Sequence, residues 1–179
     1  NVCHLLGLLS DGGIHSHQDH IIALAKILAK NKVNVKLHCF LDGRDSAQKS
    51  AKIYLQNLLD ETKNSGKNFG QIEIVTISGR YYAMDRDKNW NRIELAHSAI
   101  VQGNAPKFVD PILAVENSYQ QNINDEFILP AVAENYRGMQ DGDALLVANF
   151  RADRIRQIST VLLDGKINFS SAEIGRAHV

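Results

Sequence analysis

Five arginines, one histidine and one aspartate of this chain fall directly after runs of apolar residues. They are His15 in "SDGGIHSH", Arg44 and Asp45 in "DGRD", Arg80 and Arg86 in "GRYYAMDRD", and Arg151 and Arg154 in "RADR". Arginine presents a planar fork that binds carboxylate or phosphate bidentately, and each charge-assisted bond of this kind is worth about 1.5–3 kcal/mol. Brought together, these side chains need an anion, because two unit charges 4 Å apart repel by about 4 kcal/mol at an effective dielectric near 20. A small molecule bearing both a carboxylate and a phosphate would use the whole set. The competing arrangement is a series of separate surface pairs with Asp45, Asp85, Asp87 and Asp153, each worth under about 1 kcal/mol.

Whether these residues meet depends on the elements that carry them. Four short apolar runs stand out: "HLLGLLS" (4–10), "VNVKLHCFL" (33–41), "QIEIVTIS" (71–78) and "DALLVANF" (143–150). Three of them are rich in the branched residues that fit a pleated sheet. Amphipathic spacing predicts helices between them: Ile21, Leu24, Ala25 and Leu28 share one face, as do Ala47, Ala51, Tyr54, Leu55 and Leu58. Trp90, Ile93, Ile100 and Val101 mark a third helix, and Ile155, Ile158, Val161 and Leu162 a fourth that stops at Gly165. From Gly103 to Arg137 the pattern predicts two short helices, around "DPILAVENSY" and "DEFILPAVAENY", with Pro130 breaking the second. Strands alternating with helices imply an α/β fold, a mostly parallel sheet with helices on its faces. The carboxyl ends of such strands open on one edge, where ligands bind. Every residue named above follows a predicted strand, so this topology places them around one cleft.

The stretch "SDGGIHSHQDH", Ser10 to His20, carries more than one reading. Ser16 followed by Asp19 has capping-box spacing and predicts a helix beginning near His17. The free N–H groups of that terminus, approached through Gly12 and Gly13, favour an anion, with His15 as a donor on the preceding loop. A metal site built from His15, His17 and His20 with Asp11 or Asp19, serving a hydrolase, is the alternative, though no fourth ligand is well placed. Asp45 has two readings that can coexist: N-cap of a helix from Ser46, and a catalytic or substrate-orienting carboxylate.

Composition narrows the field. A chain of 179 residues suits one domain and can bury roughly 70% of its unfolded surface. Twenty Lys plus Arg balance twenty Asp plus Glu, unlike the basic footprint of a protein that tracks nucleic acid. Cys3 and Cys39 are too few for a disulfide framework and read as small buried side chains in a reducing, cytoplasmic protein. No apolar run approaches the roughly 18 residues of a membrane span, and no signal pattern opens the chain, so no membrane partner is expected. Asn1 stands where a Met would, almost within an apolar run, which reads as a start inside a longer protein. The last residues, "EIGRAHV" (173–179), resemble a translated sequencing adapter. Residues 1–172 then form one domain, incomplete at both ends.

Taken in order, "LLSDGGIHSH", "FLDGRD", "TISGRYYAMDRD", "DEFILP" and "NFRADRIRQ" closely resemble the 2,3-bisphosphoglycerate-independent phosphoglycerate mutases, from Asn1 to about Ser171. The resemblance implies a substrate-binding α/β/α domain inserted in a larger alkaline-phosphatase-like domain. It also implies interconversion of 3- and 2-phosphoglycerate in glycolysis and gluconeogenesis, through a phosphoserine and two manganese ions, without 2,3-bisphosphoglycerate. His15, Arg44, Asp45, Arg80, Arg86, Arg151 and Arg154 match the family's phosphoglycerate contacts. The nucleophilic serine and the metal ligands match nothing in this chain, which is expected to bind substrate and to be inactive alone. The intact enzyme is expected to be a cytoplasmic monomer. One departure is "SAQKSA" after Asp45, where relatives often carry proline and no substrate contact is expected. A non-catalytic binding module for a phosphorylated metabolite would require the same arginines.

Overall fold

A computed structural model of the chain describes residues 1–63 and 69–164. Among these, six strands form one sheet: β1 (Val2–Leu9), β2 (Asn34–Leu41), β3 (Ile72–Gly79), β4 (Lys107–Phe108), β5 (Ala131–Ala133) and β6 (Ala144–Val147). Their order is β4-β5-β3-β2-β1-β6. The pairings of β1 with β2 and β6, of β2 with β3 and of β4 with β5 are parallel, whereas β3 and β5 are antiparallel. All four apolar runs are thus strands of a mostly parallel α/β sheet.

Helices cover both faces, which is why β1 and β2 are apolar almost throughout. On one face Leu5, Leu9, Val35, Leu37, Leu41 and Ile77 pack under α1 (Gln18–Lys30), α2 (Ala51–Thr62) and α5 (Pro111–Gln120). On the other, Leu6, Leu8 and Phe40 meet Ala83 of α3 (Arg80–Ala83), Ile93 and Ala96 of α4 (Trp90–His97) and Ile158 and Val161 of α6 (Arg156–Asp164). Fully burying one such Leu or Ile side chain is worth about 1.5–3 kcal/mol, so these two layers hold the strand ends in register.

Several local expectations are corrected. Helix α1 is capped by His17, whose Nδ1 accepts from the Asp19 N–H at 3.2 Å, and not by Ser16. The Gln18 N–H donates to Ser10 O at 2.8 Å, folding the loop back on the end of β1 and burying Ser16. Helix α2 starts at Ala51, leaving Asp45 and the exposed Ala47 outside it. Its cap comes from far along the chain: Asp125 accepts from the Ser50 and Ala51 N–H groups at 2.8 Å each. "DPILAVENSY" is helical, with Asp110 as N-cap and Pro111 in the first turn. "DEFILPAVAENY" is not: a single 3-10 turn (Asp125–Phe127) leads into β5, because Pro130 suits entry to a strand and the backbone beyond it pairs with β3 and β4. The helix begun at Trp90 continues in wider π turns (Ser98–Gln102). The expected stop of α6 at Gly165 lies outside the described residues, as do 173–179.

Candidate functional site

The ends of β1, β2, β3 and β6 open on the same edge, and each hands the chain to a charged loop. Arg80 opens α3 directly after β3, and its side chain is only 3% exposed. Burial works against its charge, but Asp45 and Asp42 outweigh burial and hold the guanidinium above its ordinary value. Its Nη1 donates to Asp42 Oδ1 and to Asp45 Oδ2, both at 2.7 Å. Two glycines let the Asp125–Glu126 backbone pack closely against this edge. Gly43 has φ +69, the left-handed conformation that glycine adopts without strain, and a Cβ at Gly79 would stand 2.3 Å from Glu126 O.

Arg44, Arg80, Arg86, Arg92 and Arg154 line one cavity of about 390 Å³, with Tyr81, Asp85 and Glu126 among its other walls. The remaining candidates stand beside it, linked through the carboxylates of Asp45 and Asp153. His15 lies between two carboxylates, Nε2 3.8 Å from Asp45 Oδ2 and Nδ1 3.6 Å from Asp153 Oδ1. Asp153 also accepts from Arg86 Nη1 at 2.9 Å. Arg151 Nε is equally close to Asp153 Oδ1, at 2.9 Å, but is not aligned for a hydrogen bond, and Oδ1 has no hydrogen-bond partner. The structure therefore brings all seven sequence-selected residues into one connected cluster.

The electrostatics are uneven. Arg44 faces Glu126 at 3.4 Å across an exposed gap, a pair worth under about 1 kcal/mol. Among the described residues no carboxylate forms an ion pair with Arg154, whose pKa is lowered by burial and by Arg86, Arg80 and Arg44, with Asp153 offsetting this only in part. Burial, then Arg80, lowers the pKa of His15, so its ring is neutral at pH 7 and donates from one nitrogen only. Burial would raise the Asp153 carboxyl, but Arg86, Arg151 and His15 hold it below the ordinary value. Such a cleft is short of negative charge at Arg154 and can take an anion with several acceptor oxygens.

Sequence reasoning missed two participants. Arg92 lies over the Tyr81 ring at 3.8 Å and reaches Asp85 at 3.4 Å. It sits mid-helix in α4, where its charge reads as a solvated face, and its only signal was the seven-residue spacing from Asp85. Asp42, in "DGRD", is 1% exposed and accepts from four donors; a carboxylate at the inner end of an apolar strand was the available signal. The histidines of "HSHQDH" go separate ways, since His17 caps α1 and meets His20 at a tilt, 5.7 Å between ring centroids, while His15 turns to Asp45 and Asp153. Among the described residues no group of three or more His, Cys, Asp and Glu could hold a metal ion. No helix among them is long and apolar enough to cross a membrane. A larger cavity, about 510 Å³, lies at the opposite strand ends beside Val2, His4 and Lys36, away from this chemistry.

Comparison with known proteins identifies the family. Residues 1–178 match the family model described as "BPG-independent PGAM N-terminus". A 2,3-bisphosphoglycerate-independent phosphoglycerate mutase of Gluconobacter oxydans is 48% identical over 161 residues, 90% of this chain and 30% of that protein. One of Rhodopseudomonas palustris is 49% identical over 162 residues, 90% of this chain and 31% of the relative. A crystal structure of Leishmania mexicana phosphoglycerate mutase at low cobalt concentration superposes with TM-score 0.87 at 29% identity, covering 94% of this chain and 32% of that one. The chain thus spans about a third of the length of these relatives. With a mostly parallel sheet, an arginine-lined edge and a family match over residues 1–178, the chain belongs to the N-terminal family of the 2,3-bisphosphoglycerate-independent phosphoglycerate mutases.

Proposed function

We propose that this chain supplies the phosphoglycerate-binding cleft of an isomerase that interconverts 3-phosphoglycerate and 2-phosphoglycerate, a step of glycolysis and gluconeogenesis. The observation that carries the reading is the single cavity lined by Arg44, Arg80, Arg86 and Arg154, with no carboxylate paired to Arg154 among the described residues. Phosphoryl transfer asks a protein mainly for positioning and charge stabilisation, and this cleft offers both. Arg80, Arg86 and the neutral His15 hold the glycerate end. Arg151 and Arg154 take the phosphate, while Arg44 and Asp45 orient the hydroxyls. Asp45, its side chain 22% exposed, carries the proton between the attacking and leaving hydroxyls as general acid and base.

The phosphoryl group is parked on a serine of an alkaline-phosphatase-like domain of the longer protein, while the glycerate stays in this cleft and turns. Manganese, held by residues of that other domain, would supply charge stabilisation for the transferred group. The described residues of this chain do not fit a metal centre, and none of the roles above runs through one. The enzyme needs no 2,3-bisphosphoglycerate, works as a cytoplasmic monomer, and has neither nucleic acid nor membrane as a partner.

The test is kinetic. The longer protein should interconvert the two phosphoglycerates, and Arg154→Ala should raise KM about 10- to 100-fold, the value of one charge-assisted contact. Its melting temperature should hold, since no ion pair among the described residues is lost. The isolated chain should show no mutase activity with or without manganese. An inactive full-length protein, or normal KM in the Arg154 variant, would reject the reading.

A further inference from the structure

The cleft rests on a carboxylate that takes no direct part in the roles above. Asp42 ends the apolar run of β2 and is 1% exposed. Its Oδ1 accepts from the Arg44 N–H at 3.2 Å, the Asp45 N–H at 3.0 Å and Arg80 Nη1 at 2.7 Å. Its Oδ2 accepts from Ser10 Oγ at 2.6 Å, and that hydroxyl oxygen accepts in turn from the Gly12 N–H at 3.3 Å. One carboxylate therefore ties together the loops that leave β1, β2 and β3.

Burial alone would push the Asp42 carboxyl up, but the bonds from Ser10, the Asp45 N–H and Arg80 bring it below its ordinary value. A buried charge is retained at such a place only when it is paired and hydrogen-bonded, and Asp42 is both. Arg80 Nη1 is shared between Asp42 and Asp45, so Asp42 sets the direction in which the guanidinium enters the cavity. Small errors in such a direction are costly, because charge-assisted contacts depend on the fork geometry.

We infer that Asp42 is a positioning residue for substrate binding, acting through Arg80 and through the loop that carries Arg44 and Asp45. This deepens the proposed phosphoglycerate cleft and rests on that reading. Asp42→Asn is the informative change. The amide oxygen can keep the three Oδ1 bonds, while the NH2 group donates to Ser10 Oγ, so shape survives and the charge is lost. Arg80 is then held as an ion pair by Asp45 alone.

The experiment is a double-mutant cycle in the full-length enzyme with Asp42→Asn, Arg80→Lys and both together, reading phosphoglycerate KM, kcat and melting temperature. KM should rise at least tenfold in Asp42→Asn, with kcat changed less and with little loss of melting temperature. The double variant should be no worse than Arg80→Lys alone, because both changes remove the same aimed guanidinium. A KM within twofold of wild type, or losses that multiply in the double variant, would overturn the positioning role. Should Asp42→Asn not fold, the same cycle with Ser10→Ala, which removes only the Oδ2 anchor, decides the matter on the same criteria. Wild-type enzyme without mutase activity would instead reject the phosphoglycerate reading, which separates the two failures.

Discussion

His15 Nδ1 and Asp153 Oδ1 stand 3.6 Å apart, both atoms buried and neither with a hydrogen-bond partner. The gap is just beyond hydrogen-bond reach, so a small displacement of either side chain completes the bond. Burial and Arg80 keep the ring neutral, and Asp153 is the first of the groups that pull its pKa back up. Asp153→Asn should therefore lower the His15 pKa further. Arg151 and Arg86, released from Asp153, add to the same direction. NMR titration of the His15 ring tests this; an unchanged or raised pKa would show that Asp153 does not act on His15.

Acid should destabilise the protein from about pH 6.5 downward. His4, His15, His38 and His97 all have pKa values lowered from 6.5, chiefly by burial. His38 lies deepest, in a chain that runs Thr76 Oγ1 to His38 Nδ1 at 2.9 Å, His38 Nε2 to His4 Nδ1 at 2.8 Å, and His4 Nε2 to Asp143 at 3.0 Å. Each bond in that order has one donor and one acceptor with both rings neutral. The unfolded chain takes up protons near pH 6.5 that the folded chain refuses, so this stability is fully present above 6.5 and lost as pH falls through the folded values. Asp42 and Asp143, held below their ordinary values, extend the loss further down, while Asp125, which is raised, opposes it. Melting curves at pH 7.5 and 5.5 measure it, and a higher melting temperature at pH 5.5 would contradict the assignment.

Asp125→Ala should be among the most destabilising single changes outside the cleft. The residue is fully buried and accepts from the Ser50 and Ala51 N–H groups and from the Tyr119 hydroxyl. Its removal leaves the start of α2 uncapped, with two buried N–H groups and the half-buried Tyr119 hydroxyl without this acceptor, at about 1–3 kcal/mol for each buried group. A loss of about 3 kcal/mol corresponds to about 6–12 °C in melting temperature for a domain of this size. Thermal unfolding is the measurement; a shift below about 2 °C would mean that another group caps the helix.

Much of the architecture could be read directly from residue order. The central strands announce themselves because β1 and β2 are buried on both faces and admit few polar residues. The helices over them show 3.6-residue periodicity because only one face of each is covered. Strands β4 and β5 left no such mark: at two and three residues they are too short for any period, and their identity comes from pairing with each other and with β3. The α2 cap was equally hidden, since Asp125 lies 75 residues beyond the Ser50 it caps.

Which strand-following residues carry charge to this edge could be read from chain order, whereas Arg92, on α4, could not. Arginines placed after strands of a parallel sheet must arrive at one edge, because the crossover connection returns every strand in the same direction. Which carboxylate each arginine answers to was decided only by the tertiary structure. Arg80 reaches Asp42 and Asp45 across 38 and 35 residues, Arg86 reaches Asp153 across 67, and Arg154 reaches none among the described residues. Those pairings depend on distances of a few ångströms between loops joined only through the packed sheet, and no spacing along the chain encodes them.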